Sequence, residues 1–147
     1  VAIGTGFGRA LVLLISLANG ETLHTLEGHH STVNQLAFSP DGGSLASVSA
    51  DGGLRVWNVE TGEAGLVLDQ VGHYASAVAY SPDGSLLVAG NDAGEVRLYS
   101  PASGTLLATL TGHTDAVTGA AFTPDGRVLL TSSTDGTVRL WAIAPEP

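Results

Sequence analysis

Apolar and polar residues alternate along this chain in short runs, and each run ends at glycine, proline or aspartate. Residues 29–71 show the pattern most completely. Val33 to Phe38 (VNQLAF) predicts a half-apolar strand. Pro40-Asp41-Gly42 predicts a turn, because Pro presets one backbone angle and Gly accepts a positive one. Leu45 to Ser49 predicts a second strand, and Asp51-Gly52 a hairpin. Leu54 to Val59 predicts a third strand, Thr61-Gly62 the next turn, and Leu66 to Leu68 belong to a fourth. No stretch keeps a helical period.

The same order returns every 42 residues. Ser39-Pro40-Asp41-Gly42 recurs as Ser81-Pro82-Asp83-Gly84 and as Thr123-Pro124-Asp125-Gly126. Trp57 recurs as Tyr99 and Trp141, and Gly62 as Gly104 and, backwards, Gly20. Such a period marks an array of units, none of which buries its apolar face alone. Four short antiparallel strands per unit make a propeller blade, so the fold class is all-β, an incomplete β-propeller. Residues 28–71 and 72–111 each read as a blade, and 112–147 as a blade lacking its last strand. In residues 1–27, Ile15 stands where Trp would, so this segment reads as the last three strands of a degraded blade. The count is about three and a half blades.

These motifs resemble the WD-repeat β-propeller family. Gly28-His29 precedes the first Pro-Asp-Gly turn, Asp51-Gly52 and Trp57-Asn58; Gly112-His113 precedes the third, Asp135-Gly136 and Trp141-Ala142. The Trp-Asp dipeptide itself is never intact, its second residue being Asn58, Ser100 or Ala142. The resemblance covers essentially the whole chain.

Composition narrows the function. The chain is 44% hydrophobic, which excludes a disordered polypeptide. Net charge is −9, with five arginines and no lysine, which argues against nucleic acid and anionic membranes as partners. There is no cysteine, so disulfides, thiol catalysis and Cys-based zinc sites are excluded and the compartment is left open; the expectation adopted is cytoplasmic. The apolar run Ala10 to Ala18 is too short to cross a bilayer. Gly4-Thr5-Gly6-Phe7-Gly8 looks like a phosphate loop, but Arg9 replaces the third glycine of the dinucleotide fingerprint, so a hairpin turn is expected. No cofactor or metal is expected, because the histidines lack ligand spacing. The absent methionine suggests a piece of a longer protein.

His29, Ser49 and Asp51 invite a Ser-His-Asp reading. The resemblance implies instead a structural hydrogen-bond tetrad of His, Asp, Ser or Thr and Trp. The expected sets are His29, Ser49, Asp51 and Trp57, and His113, Ser133, Asp135 and Trp141. Ser47 faces the same side as Ser49, so either hydroxyl could serve. Recurrence argues against catalysis. In the unit between them, His73 lies ten residues before Asp83, whereas His29 and His113 lie twelve before their aspartates. In register, Val71 replaces His, Ala93 replaces Asp and Tyr99 replaces Trp. Loss of the pair is the favoured reading, a loop rearrangement restoring His73 the alternative; this blade is expected to be the softer one.

WD-repeat relatives are mainly protein-interaction platforms, which implies a non-catalytic scaffold with a protein or peptide partner of basic character. The loops that enter the blades and the central hairpins offer His30, Ser31, Tyr74, Asp92, Thr114 and Asp115, with Tyr74 the strongest anchor. The alternatives are a hydrolase-type propeller and a self-assembling array. Further blades are expected from missing sequence or from a second copy.

Overall fold

The computed structural model describes residues 1–4, 10–68, 71–72 and 74–143. The glycine-rich segment after Gly4 and His73 fall outside the described residues. Among the described residues there are fourteen strands and no helix, hence no helix long and apolar enough to cross a membrane.

The strands form four antiparallel sheets in chain order. The first holds β1 (Ala2–Gly4), β2 (Leu11–Ile15) and β3 (Thr22–Glu27). The second holds β4 (Val33–Phe38), β5 (Ser44–Ser49), β6 (Leu54–Asn58) and β7 (Ala64–Leu68). The third holds β8 (Ala75–Tyr80), β9 (Leu87–Asn91), β10 (Val96–Tyr99) and β11 (Leu106–Leu110). The fourth holds β12 (Val117–Phe122), β13 (Val128–Ser133) and β14 (Val138–Ala142). Each sheet is a meander of sequential neighbours, one blade of a propeller whose ring is not closed.

Local chemistry explains the strand ends. At the first Pro-Asp-Gly turn, Gly42 adopts φ 73°, a region closed to most side chains. Asp41 Oδ1 accepts from the Ser39 hydroxyl at 2.6 Å and from the Gly43 amide at 2.9 Å. Asp83 and Asp125 repeat the pairing with Ser81 and Thr123. The Ser81 and Ser85 hydroxyls and the Ser85 amide bring Asp83 down to about 2.

The core lies between sheets. Every interface sets the face that looks toward the following sheet, the forward face, against the rear face of that sheet. Val12, Leu14 and Leu26 meet Val33, Leu45 and Trp57. Ala46, Val48, Leu54 and Val56 meet Val78, Leu87, Ala89 and Tyr99. Val88, Val96 and Leu98 meet Val117, Leu129 and Trp141. Polar ties join the innermost strands: Asn34 Nδ2 donates to the Ala75 carbonyl at 2.7 Å, and the Ser76 hydroxyl to the Val117 carbonyl. The forward face of the fourth sheet has no neighbour among the described residues, and Val138 and Leu140 are 61% and 68% exposed.

Candidate functional site

The second and fourth sheets each carry one buried polar chain. His29 Nδ1 lies 3.1 Å from Asp51 Oδ2, and Nε2 lies 2.8 Å from Ser47 Oγ. The Trp57 indole donates to the same hydroxyl at 2.8 Å. In the fourth sheet, His113 reaches Asp135 at 2.9 Å and Thr131 at 2.8 Å, and Trp141 donates to Thr131 at 2.9 Å. One proton arrangement satisfies every group: Trp N–H to hydroxyl, hydroxyl to Nε2, and Nδ1–H to carboxylate. It requires neutral histidine. Burial lowers the His29 pKa, and the neighbouring Asp51 opposes that shift without overturning it.

The hydroxyl assignment needs correction. Ser49 and Ser133, expected as members, do not contact the histidines; Ser47 and Thr131 do. Register gives the reason. Trp57 stands opposite Leu45, and its indole reaches one same-face position further, to Ser47. Ser49 lies at the hairpin end of β5, beyond that reach. Its hydroxyl donates to the Ser31 carbonyl at 2.9 Å and accepts from the Asp51 amide at 3.1 Å. Ser133 does the same with Asp115 and Asp135. The sequence held a signal for this. Position 47 recurs as Ala89 and Thr131, losing its hydroxyl where His and Asp are also lost, whereas position 49 recurs as Asn91 and Ser133 and stays polar.

In register, the third sheet has Val71, Ala89, Ala93 and Tyr99 at the four member positions. Val71 and Ala89 are fully buried. Asn91 takes the place of Ser49, donating to the Val71 carbonyl at 2.9 Å and accepting from the amides of Ala93 and Glu95 at 3.0 Å.

Ser47, His29 and Asp51 have the connectivity of a hydrolytic triad. However, Ser47 has no exposed surface and Thr131 1%, so neither hydroxyl can meet a substrate. Among the described residues no group of three His, Asp or Glu could hold a metal.

The networks instead reach the loops. Asp51 accepts the His30 amide at 2.7 Å, and Asp135 the Thr114 amide at 3.1 Å. Burial alone would raise the Asp51 pKa; the amides of His30 and Gly53 and the His29 contact lower it below the ordinary value. Tyr74 is 43% exposed, its hydroxyl donates to Asn34 Oδ1 at 3.1 Å, and its carbonyl accepts the Asp92 amide at 3.1 Å. His30, Asp92, Thr114 and Asp115 are exposed and Ser31 is half-buried. Two hollows, of about 880 and 330 Å³, lie at the opposite, Pro-Asp-Gly ends of the sheets and contain none of these loop residues.

The class is thus an open, multi-bladed β-propeller with a histidine–carboxylate chain in two of its blades. The family model "WD domain, G-beta repeat" matches residues 20–58, 66–100 and 104–142, and the chain belongs to that WD40 family. Each match begins just before or within the outer strand of one sheet and ends on or just after the third strand of the next, so repeat and blade are offset by one strand. The chain is 46% identical over 52 residues to eukaryotic translation initiation factor 3 subunit I of Aspergillus niger, covering 35% of this chain and 15% of that protein. It is 44% identical over 46 residues to the serine-threonine kinase receptor-associated protein of Dictyostelium discoideum, covering 31% and 16%. The matched segments are thus a small part of those relatives' length.

Proposed function

We propose that the chain is a non-catalytic protein-interaction scaffold that binds a basic segment of its partner through the loops carrying His30, Ser31, Tyr74, Asp92, Thr114 and Asp115. The observation that carries this reading is the anchoring of those loops: Asp51 and Asp135 hold the amides of His30 and Thr114, and Ser49 and Ser133 hold the carbonyls of Ser31 and Asp115. Loop backbones fixed from the core leave side chains pre-organised, which lowers the entropic cost of binding. Tyr74 supplies a large contact with its hydroxyl already oriented. Asp92 and Asp115 supply exposed negative charge for a cationic segment. Relatives named as a subunit of an initiation factor and as a receptor-associated protein support the scaffold class.

The test is binding of the chain to arrays of basic, neutral and acidic peptides of equal length. Selection of basic sequences is expected, with Tyr74→Ala weakening it about tenfold and Asp92→Asn with Asp115→Asn flattening its salt dependence. Binding that ignores all three changes places recognition elsewhere.

A further inference from the structure

The second and third sheets have four strands each, and a hollow of about 330 Å³ lies between their Pro-Asp-Gly ends. Its lining begins at Ser39 and ends at Ala102, so it is closed by residues well inside the chain. The larger hollow differs in this respect, because it reaches Ile143, the last described residue. The two turns that wall the smaller hollow touch: a carbon added at Gly84 would lie 3.7 Å from Pro40 Cδ.

Two departures from the repeat meet in this hollow. Position 80 is tyrosine, where the repeat has Phe38 and Phe122. The Tyr80 ring packs on the core between the two sheets, and its hydroxyl oxygen is buried with no hydrogen-bond partner among the described residues. Position 43 is glycine, where the repeat has Ser85 and Arg127. The Ser85 hydroxyl donates to Asp83 Oδ2 at 2.9 Å, but Gly43 has no side chain to do the same for Asp41. Asp41 Oδ1 accepts from the Ser39 hydroxyl and the Gly43 amide, while Oδ2 accepts no hydrogen bond among the described residues. Those two bonds hold the Asp41 pKa below its ordinary value, so the carboxylate is charged at neutral pH. Burial, and then the Asp41 charge, push the Tyr80 phenol up to about 12. The two open groups are therefore within electrostatic reach of each other.

We propose that this hollow binds an alkylammonium group, with its charge held by Asp41, Asp83 and the Tyr80 oxygen and its methylene stem along Pro40 and Pro101. Carboxylates only accept hydrogen bonds, and a buried phenol oxygen without a partner costs free energy until one reaches it. An ammonium brings three donors on a compact head, one for each acceptor. The proline rings suit its stem, which buries apolar surface while the head keeps polar partners. A divalent cation is the poorer occupant, since it takes six or more oxygens and the described residues hold no cluster of three metal-ligating side chains. The hollow lies at the opposite end of the sheets from the loop face, so this reading and the scaffold reading can fail separately.

The experiment titrates the isotope-labelled 147-residue chain with pentylamine and with 1-pentanol, followed by amide chemical shifts. Saturable shifts at residues 83–85 and 102–104 are expected for the amine in about the millimolar range, and none for the alcohol. Asp41→Asn keeps an Oδ1 for Ser39 and Gly43 but removes the charge, and should weaken binding about tenfold. Tyr80→Phe restores the residue of the repeat, should keep the parent spectrum, and should weaken binding about fivefold. Asp125→Asn, in the next turn, should bind like the parent chain. A single-lysine peptide that binds as tightly as pentylamine would assign the ammonium to a protein side chain, and tighter binding of 1,5-diaminopentane would assign it to a free diamine; both support the site. No saturable shift, an equal response to the alcohol, or unchanged binding in both Asp41→Asn and Tyr80→Phe would overturn the proposal.

Discussion

The third and fourth sheets divide between them what the second sheet combines. Among the described residues the third has none of the His–Asp–hydroxyl–Trp chain but is covered on both faces; the fourth has the whole chain but is covered on one. Equivalent third-strand residues show the result: Leu98 is 6% exposed and Leu140 68%. Neighbouring sheets, not the internal network, remove apolar surface from water. Apolar replacement of a complete buried polar set is often neutral, whereas removing one member is not. The third sheet changes all four positions at once, and its interior is closed. We therefore predict, against the expectation from the missing network, that this sheet is not the softer one. Hydrogen exchange should show the β13–β14 amides opening before those of β9–β10, and the reverse order would break the comparison.

The largest effect expected is in the core of the third sheet. Leu87 is fully buried between the second and third sheets, so Leu87→Ala should destabilise the chain by about 2–5 kcal/mol. Leu140→Ala, in the exposed face, should stay within about 0.5 kcal/mol. Denaturant unfolding measures both. Similar losses would mean that the open face is covered in solution.

Next comes the network. His29 is 7% exposed and bridges Asp51 and Ser47, so His29→Ala leaves a carboxylate and a hydroxyl without their partner. About 3 kcal/mol is expected. Asn91→Ala, in the sheet without the network, leaves the Val71 carbonyl unpaired and should cost about 1–2 kcal/mol. If the asparagine change proved the costlier, the third sheet would depend on its polar hairpin more than the second does.

Strands, turns and the repeat were readable in the sequence because they depend on local chemistry: alternation, Pro-Asp-Gly and the left-handed glycine. Histidine, aspartate and tryptophan of the networks were readable as well, since each recurs beside a turn of known register. The hydroxyl was not. Ser47 and Ser49 point to the same face, and only the lean of the indole along β5 separates them. The holding of loop carbonyls by Ser49 and Ser133 was equally hidden, because it depends on loops folding back over the strand end. The open forward face of the fourth sheet was partly foreseeable from the missing outer strand. Its contrast with the third sheet follows from the packing of whole sheets, which no single repeat displays.

The smallest effect is expected from acid, and it separates the second sheet from the third. In the folded chain burial holds the His29 pKa below its ordinary 6.5, so between the folded and unfolded values the unfolded chain binds the proton and the folded chain resists it. Stability then falls as pH drops through about 6.5 and stops falling below the lowered folded pKa. Asp51 acts further down: its depressed pKa stabilises the fold above the ordinary 3.8, and that contribution is lost as pH falls through the folded value. Both groups have the same sign, so acid destabilises throughout. The third sheet has Val71 and Ala93 at these positions and contributes neither step. Melting temperature should therefore decline as pH drops below about 6.5, and the double change His29→Val with Asp51→Ala, which copies the third sheet, should flatten that limb. A limb that keeps its slope in the double variant would show that His29 is not its source.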